Sequence, residues 1–258
     1  LPKAVLMVST ELLLVLFALF AVAFLYSSVG LGGGSGYLAV LSMTSFASSN
    51  TIWLKQYAWS LNLIVAGMAF WYFQKSGHHV RGLSAPFVAA SVPMAAIGGF
   101  FLVEGAIYDV LLSITLVVAA WRLVSSDLAE IEVFRPRIST AIVVGGVIGL
   151  ASGVIGIGGG IFLLPALVLG RWASAKEAAA TASIFVWLNS LSGLIGASAA
   201  GRIEFDLSLL LPFGSVVMIG GLFGSRFGSR VSSQRGVKEL LVVILMIAAF
   251  KRLSELVV

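Results

Sequence analysis

Gly30, Gly32, Gly33 and Gly34 interrupt an apolar run, and the same spacing returns 126 residues later as Gly156, Gly158, Gly159 and Gly160. Glycine has no side chain to react, so any chemistry in "VGLGGGSG" and "IGIGGGIF" belongs to the backbone. Glycine reaches the positive φ angles that break a helix and lets other groups come close. A half-helix is expected to restart after each break, near Ser35 and near Ile161. The first four N–H groups of such a helix have no partner inside it. Its dipole adds about half a positive charge at the same end. Two such ends meeting at mid-depth from opposite directions would hold an anion without a Lys or Arg. The competing interpretation is helix packing through small residues four apart, which Gly32/Gly36 and Gly156/Gly160 also satisfy. Clustered glycines repeated with internal symmetry favour the break. A dinucleotide fingerprint is excluded, because an apolar helix and not a strand precedes the glycines and no acidic residue follows at the required distance.

Polar residues fall close to these breaks. Tyr26, Ser27, Ser28 and Ser35 belong to the first copy and Ser152 to the second. The following helices add Gln56, Asn62, Thr181, Ser183, Asn189 and Ser190. Asn62 and Asn189 occupy matching places, with Gln56 and Ser183 each six residues earlier. A buried amide needs partners, so the two asparagines either tie helices together or donate N–H groups to an oxyanion. Trp59 and Trp187 neighbour them as packing or site walls. Lys55 has no basic counterpart in the other copy. It either snorkels toward headgroups or draws an anion to the outer mouth. His78 and His79 read as solvated loop residues within range of a proton-sensing role. Arg226, Arg230, Arg235 and Lys238 fit a topological bias, with lipid-headgroup contact as a lesser alternative.

The elements that carry these groups are membrane-spanning. Of 258 residues, 59% are hydrophobic and 10% charged, with a mean hydropathy of +1.07. Charges are absent from 12–54, 82–103, 138–170 and 178–201, and about 20 apolar residues cross a bilayer. The net charge of +5 therefore reports topology, and no basic soluble face exists for nucleic acid. No cysteine is present, which excludes disulfides, thiol catalysis and thiolate metal sites. No cofactor or metal is expected. The first apolar run is expected to be structure and not a leader peptide, since an internal copy recurs near 141–168.

Four landmarks recur in order: a glycine-broken run, an asparagine-bearing helix, a Gly-Gly helix (Gly98–Gly99, Gly220–Gly221) and a basic-ended helix (Arg122, Lys251–Arg252). The expected organisation is all-α and polytopic, in two repeats. Repeat 1 covers 1–124, with a broken helix at 11–47 and helices at about 52–74, 84–103 and 107–124. A polar linker spans 125–140. Repeat 2 covers 141–258, with a broken helix at 141–169 and helices at about 177–200, 207–226 and 237–256. If each broken segment is a hairpin, each repeat crosses three further times and the repeats are inverted. The basic residues then divide 11 to 5 between the two sides of the membrane, the sum matching the 16 present. Full crossings would divide them almost evenly. The positive-inside rule selects the hairpins, with both termini outside.

A G-x-G-G-G closing an apolar helix in each half of a duplicated chain of this length resembles the TauE/SafE sulfite-exporter family. The marks here are Gly30, Gly32–Gly34 and Gly156, Gly158–Gly160, and the likeness covers essentially the whole chain. The resemblance implies a multi-pass transporter of the bacterial inner membrane moving sulfite or small organosulfonates such as sulfoacetate. The expected partners are thus a small anion and the lipid bilayer. The residues expected to bind the anion are those of the two breaks with Ser28, Ser35, Ile161, Gln56, Asn62, Ser183, Asn189 and Lys55. An anion channel of the same build and a carrier of another small carboxylate or sulfur compound are the alternatives. An intramembrane enzyme lacks the motifs it would need. No acidic residue lies well inside a span, where coupled carriers commonly keep one. Proton coupling and potential-driven efflux both stay open, as does the oligomeric state.

Overall fold

The computed structural model describes residues 2–44, 51–101, 133–203 and 206–233, with short pieces between 235 and 246. Its described residues form eight α-helices and one π-helical turn. In chain order these are α1 (Pro2–Ser28), α2 (Gly34–Ser42), α3 (Thr51–Lys75) and α4 (Arg81–Phe100). α5 (Ile138–Ile155), α6 (Gly160–Leu169), α7 (Ala175–Ala199) and α8 (Leu207–Arg226) follow, and the π turn Phe227–Val231 extends α8. The expected helix at 107–124, the first half of the linker and most of the helix at 237–256 lie outside the described residues. α1 begins at Pro2, before the expected residue 11, and α2 ends at Ser42, before the expected residue 47.

Among the described residues, five helices are long and apolar enough to cross a membrane: Thr10–Ser28, Arg81–Phe100, Ile138–Ile155, Ala175–Ala199 and Leu207–Val231. Their outer faces carry large apolar side chains such as Phe17, 72% exposed, and Val147, 66% exposed. Apolar surface on that scale suits acyl chains and not water. The chain punctuates the helices where sequence chemistry directs. Ser174 and Glu177 form a reciprocal capping box at the start of α7, and Asp206 caps α8 by accepting from the Ser208 N–H.

Packing follows one rule. α4 lies against α5 and α7, α8 lies against α1 and α3, and α3 crosses α7. Exchanging the two halves of the chain maps this set of contacts onto itself. The Gly-Gly pairs make the crossings possible. A Cβ on Gly98 would strike the Leu150 carbonyl of α5, and one on Gly220 would lie 2.6 Å from the Phe20 carbonyl of α1. One residue on, Gly99 faces Gly193 of α7, and Gly221 faces Val65 and Met68 of α3. At the α3–α7 crossing, Trp59 lies on Gly193 and Trp187 on Gly67, a reciprocal indole-on-glycine contact.

Each broken segment doubles back. The Phe134 N–H donates to the Arg171 carbonyl at 2.8 Å, so the chain entering α5 and the chain leaving α6 are joined at their base. In the first copy Ser35 and Gly36 of α2 return against Tyr26 and Val22 of α1. The basic loops gather at one end of the bundle. There the His78 ring and Lys176 Nζ both donate to the Ser229 carbonyl, at 3.3 and 3.2 Å, and Arg135 pairs with Glu177 at 2.8 Å. At the opposite end the Tyr57 hydroxyl donates to the Asp206 carbonyl, and Arg202 donates to the Phe100 carbonyl.

Candidate functional site

α1 stops at Ser28 because Gly30 turns to φ 79° and Gly33 to φ 103° before α2 starts at Gly34. α5 stops at Ile155 because Gly156, Gly158 and Gly159 turn to φ 90°, 77° and 79° before α6 starts at Gly160. A side chain in this left-handed region meets its own carbonyl, at a cost of about 1–2 kcal/mol per residue. The half-helices thus restart one residue ahead of the expected Ser35 and Ile161.

The two breaks touch. A Cβ on Gly34 would lie 2.9 Å from the Ile157 carbonyl oxygen, and one on Gly160 would lie 2.8 Å from Leu31 Cδ2. Gly34 matches Gly160 and Leu31 matches Ile157 at the same 126-residue offset, so each break reads the other in the same way. Asn62 sits at the junction. It borders Gly32 through Oδ1 and would lie 2.8 Å and 3.0 Å, through Nδ2, from added Cβ atoms on Gly34 and Gly158. Val186 of α7 also borders Gly32, Gly158 and Gly160.

Backbone donors collect there. Among the described residues, the N–H groups from Gly32 to Gly36 have no acceptor, and neither do those from Ile157 to Ile161. Hydrogen bonding resumes with Tyr37 onto Gly33, and with Phe162 and Leu163 onto Gly159. Apart from half-buried Ser35, all these residues are buried. Buried N–H groups without a partner are rare in folded proteins. Side chains add unpartnered polar atoms. The Tyr37 hydroxyl would lie 2.7 Å from a Cβ on Gly33, and Ser152 faces Gly159 through its Cβ; neither hydroxyl has a partner. Asn62 Nδ2 donates to Ser190 Oγ at 3.1 Å while its Oδ1 is unpartnered, and both amide atoms of Asn189 are unpartnered.

The remaining candidates separate. Ser35 is held by the Tyr26 hydroxyl at 3.0 Å. Ser28 and Ser183 are buried, but each commits its hydroxyl hydrogen to its own helix, at Leu25 and Ala180. Neither has a proton left to offer an anion. Gln56 is buried on α3, and Ile161 joins through its backbone. Lys55 is 6% exposed, and its stem packs where a Cβ on Gly156 would stand. His78 and His79 are half-buried and bonded, to the Ser229 carbonyl and the Ser84 hydroxyl, and burial lowers the pKa of both. Among the described residues no cluster of metal-ligating side chains exists. Sequence reasoning passed over Tyr37, a lone phenol one turn beyond the break, and Val186, which carries no chemical signal.

Paired interrupted helices, buried among long apolar ones and touching at Gly34 and Ile157, define a multi-pass helical membrane protein. The chain belongs to the TauE/SafE sulfite exporter family, whose profile matches residues 14–252. It is similar to the probable membrane transporter protein y4hK of Sinorhizobium fredii, with 32% identity over 250 residues, 95% of this chain and 99% of that one. The probable membrane transporter protein YunE of Bacillus subtilis is 25% identical over 48% of this chain and 43% of its own. A probable membrane transporter protein of Methanocaldococcus jannaschii is 24% identical over 72% of this chain and 62% of its own. No solved structure matches.

Proposed function

We propose that this protein carries a small oxyanion, sulfite or an organosulfonate of the sulfoacetate kind, across the bacterial inner membrane by alternating access. The observation that carries this reading is the run of unpartnered, buried N–H groups at Gly32–Gly36 and Ile157–Ile161. These groups would wrap an anion's oxygens, as helix N-termini do elsewhere. Asn62 and Asn189 supply side-chain donors, and Lys55 supplies positive charge on one flank. The halves act as inverted repeats, residues 1–124 and 141–258, joined by the linker at 125–140. Three features support that arrangement: the exchangeable packing pattern, the Phe134–Arg171 base of the second hairpin, and basic residues gathered at one end. Discontinuous helices at the interface of inverted repeats are where such transporters bind their solutes. Rocking of one half on the other would turn the site from face to face. A negative-inside potential favours anion exit by about 2.3 kcal/mol per charge at 100 mV.

The test is flux in proteoliposomes loaded with sulfite or sulfoacetate. Saturable efflux with trans-stimulation is expected, and it should be lost in Gly33→Leu and Gly159→Leu. Absence of saturable flux in the unaltered protein would refute the proposal, as would full flux in both variants. Unitary currents would replace the carrier with a channel.

A further inference from the structure

Tyr37 stands four residues after Gly33, so its side chain leans back over the start of α2. A Cβ on Gly33 would lie 2.6 Å from its Cζ, 2.7 Å from its hydroxyl oxygen and 3.0 Å from its Cε2. The phenol thus lies directly on the first break, at the residue that turns to φ 103°. Tyr37 is 0% exposed, and its hydroxyl has no partner among the described residues. Buried phenols usually find one. Ser35, on the same half-helix, is already paired with Tyr26 at 3.0 Å. The N–H groups of Gly32 to Gly36 are likewise without an acceptor. The phenol O–H and the backbone therefore lack the same thing at the same place.

Packing alone does not ask for this hydroxyl. At the 126-residue offset Tyr37 corresponds to Leu163. Leu163 is equally buried and makes the same backbone bond, onto Gly159 at 3.1 Å against 2.8 Å for Tyr37 onto Gly33. An apolar side chain is thus enough to fill this register. The second copy carries its own unpartnered hydroxyl at Ser152, which comes before its break and lies beside Gly159. Tyr37 belongs to an apolar cluster with Leu19, Ala23 and Leu61, so its ring is at home there and only its oxygen is out of place. A buried hydroxyl without a partner is a cost to the fold.

We propose that Tyr37 is a ligand of the transported anion, its O–H donating to an oxygen of the guest held at Gly32–Gly36. This rests on the breaks being an anion site, and it adds a side-chain donor from the first half-helix. A hydrogen bond to an ionised acceptor is about twice as strong as a neutral one. The hydroxyl that costs the fold stability therefore adds to affinity for the guest. Because the ring is already packed, little freedom is lost when the bond forms.

Tyr37→Phe removes the oxygen and keeps the ring. The melting temperature of the full chain in detergent, measured without sulfite and across a sulfite titration, reads the two effects separately. Without sulfite the variant should melt at or above the unaltered protein, because an unpartnered polar atom has been deleted. The midpoint of the sulfite response should rise about tenfold, in keeping with loss of a hydrogen bond to a charged group. Tyr57→Phe is the control, since its hydroxyl donates to the Asp206 carbonyl at 3.0 Å, at the end opposite the basic loops. It should lower the melting temperature and leave the midpoint unchanged. A lowered melting temperature in Tyr37→Phe, or failure to fold, would mean that the hydroxyl serves the fold and would overturn the proposal. An equal rise of the midpoint in Tyr57→Phe would mark general loosening and also overturn it. An unchanged midpoint in Tyr37→Phe would overturn the phenol ligand; if Gly34→Ala still weakens the response, the break site stands. No response to sulfite in the unaltered protein would overturn both.

Discussion

Gly34→Ala tests whether the facing breaks work as one unit. Gly34 opens α2 with an ordinary backbone conformation, so alanine adds no φ strain. The added methyl would lie 2.8 Å from Asn62 Nδ2, 2.9 Å from the Ile157 carbonyl oxygen and 3.0 Å from Ile157 Cα. The amide can swing away. Ile157 cannot, because it is backbone held between two glycines at φ 90° and 77°. Ordinary contact begins near 3.4 Å, so the breaks must part by about half an ångström. Overpacking of this kind costs about 1–3 kcal/mol. The parting also lengthens any anion contact shared between the breaks, and hydrogen bonds to charged groups are worth about 1.5–3 kcal/mol each. Sulfite flux in proteoliposomes should fall at least tenfold, with a lowered melting temperature. Gly146→Ala is the matched control, since its methyl would meet nothing nearer than Ala90 Cβ at 3.8 Å. Alanine favours a helix interior by up to about 1 kcal/mol over glycine, so the control should hold or gain stability with flux intact. Equal flux in Gly34→Ala and Gly146→Ala would refute both the contact between the breaks and its role.

Three further outcomes follow from the same geometry. Asn62→Ala should reduce flux tenfold or more, whereas Ser183→Ala should change it less than twofold, because that hydroxyl is already bound to Ala180; equal losses in the liposome assay would contradict the assignment. Gly220→Leu should prevent α8 from seating on the Phe20 carbonyl of α1 and lower stability by about 3 kcal/mol or more, read as a collapsed melting transition, while Gly82→Ala, with open space around it, should be silent. His79 is kept neutral by burial first and by Arg81 second, so its pKa in the fold lies below the unfolded value. The unfolded chain then binds the extra proton, and stability should fall as the pH drops below the ordinary histidine value of about 6.5. His79→Gln should flatten that slope in a pH series of melting curves.

The sequence by itself determined the membrane class and the places where two helices must break. Those features are local: apolar length, spacing of like residues, and glycines that only positive φ angles explain. It also located the polar groups, because an asparagine in a long apolar helix is visible without coordinates. Which of those groups are available was decided only by tertiary structure. Ser28 and Ser183 look like ligands in the sequence, but they bond to their own helices, whereas Asn189 and Trp59 remain unpartnered. Lys55 reads as a surface charge until the fold lays its stem on Gly156, 101 residues along the chain. Contact between Gly34 and Ile157, and the place of Val186 beside both breaks, likewise joins residues far apart in sequence. Hydrogen-bond supply and demand inside a bundle depend on which helices meet and at what depth. Helix periodicity fixes the face a residue occupies, and packing against a distant helix fixes what that face touches.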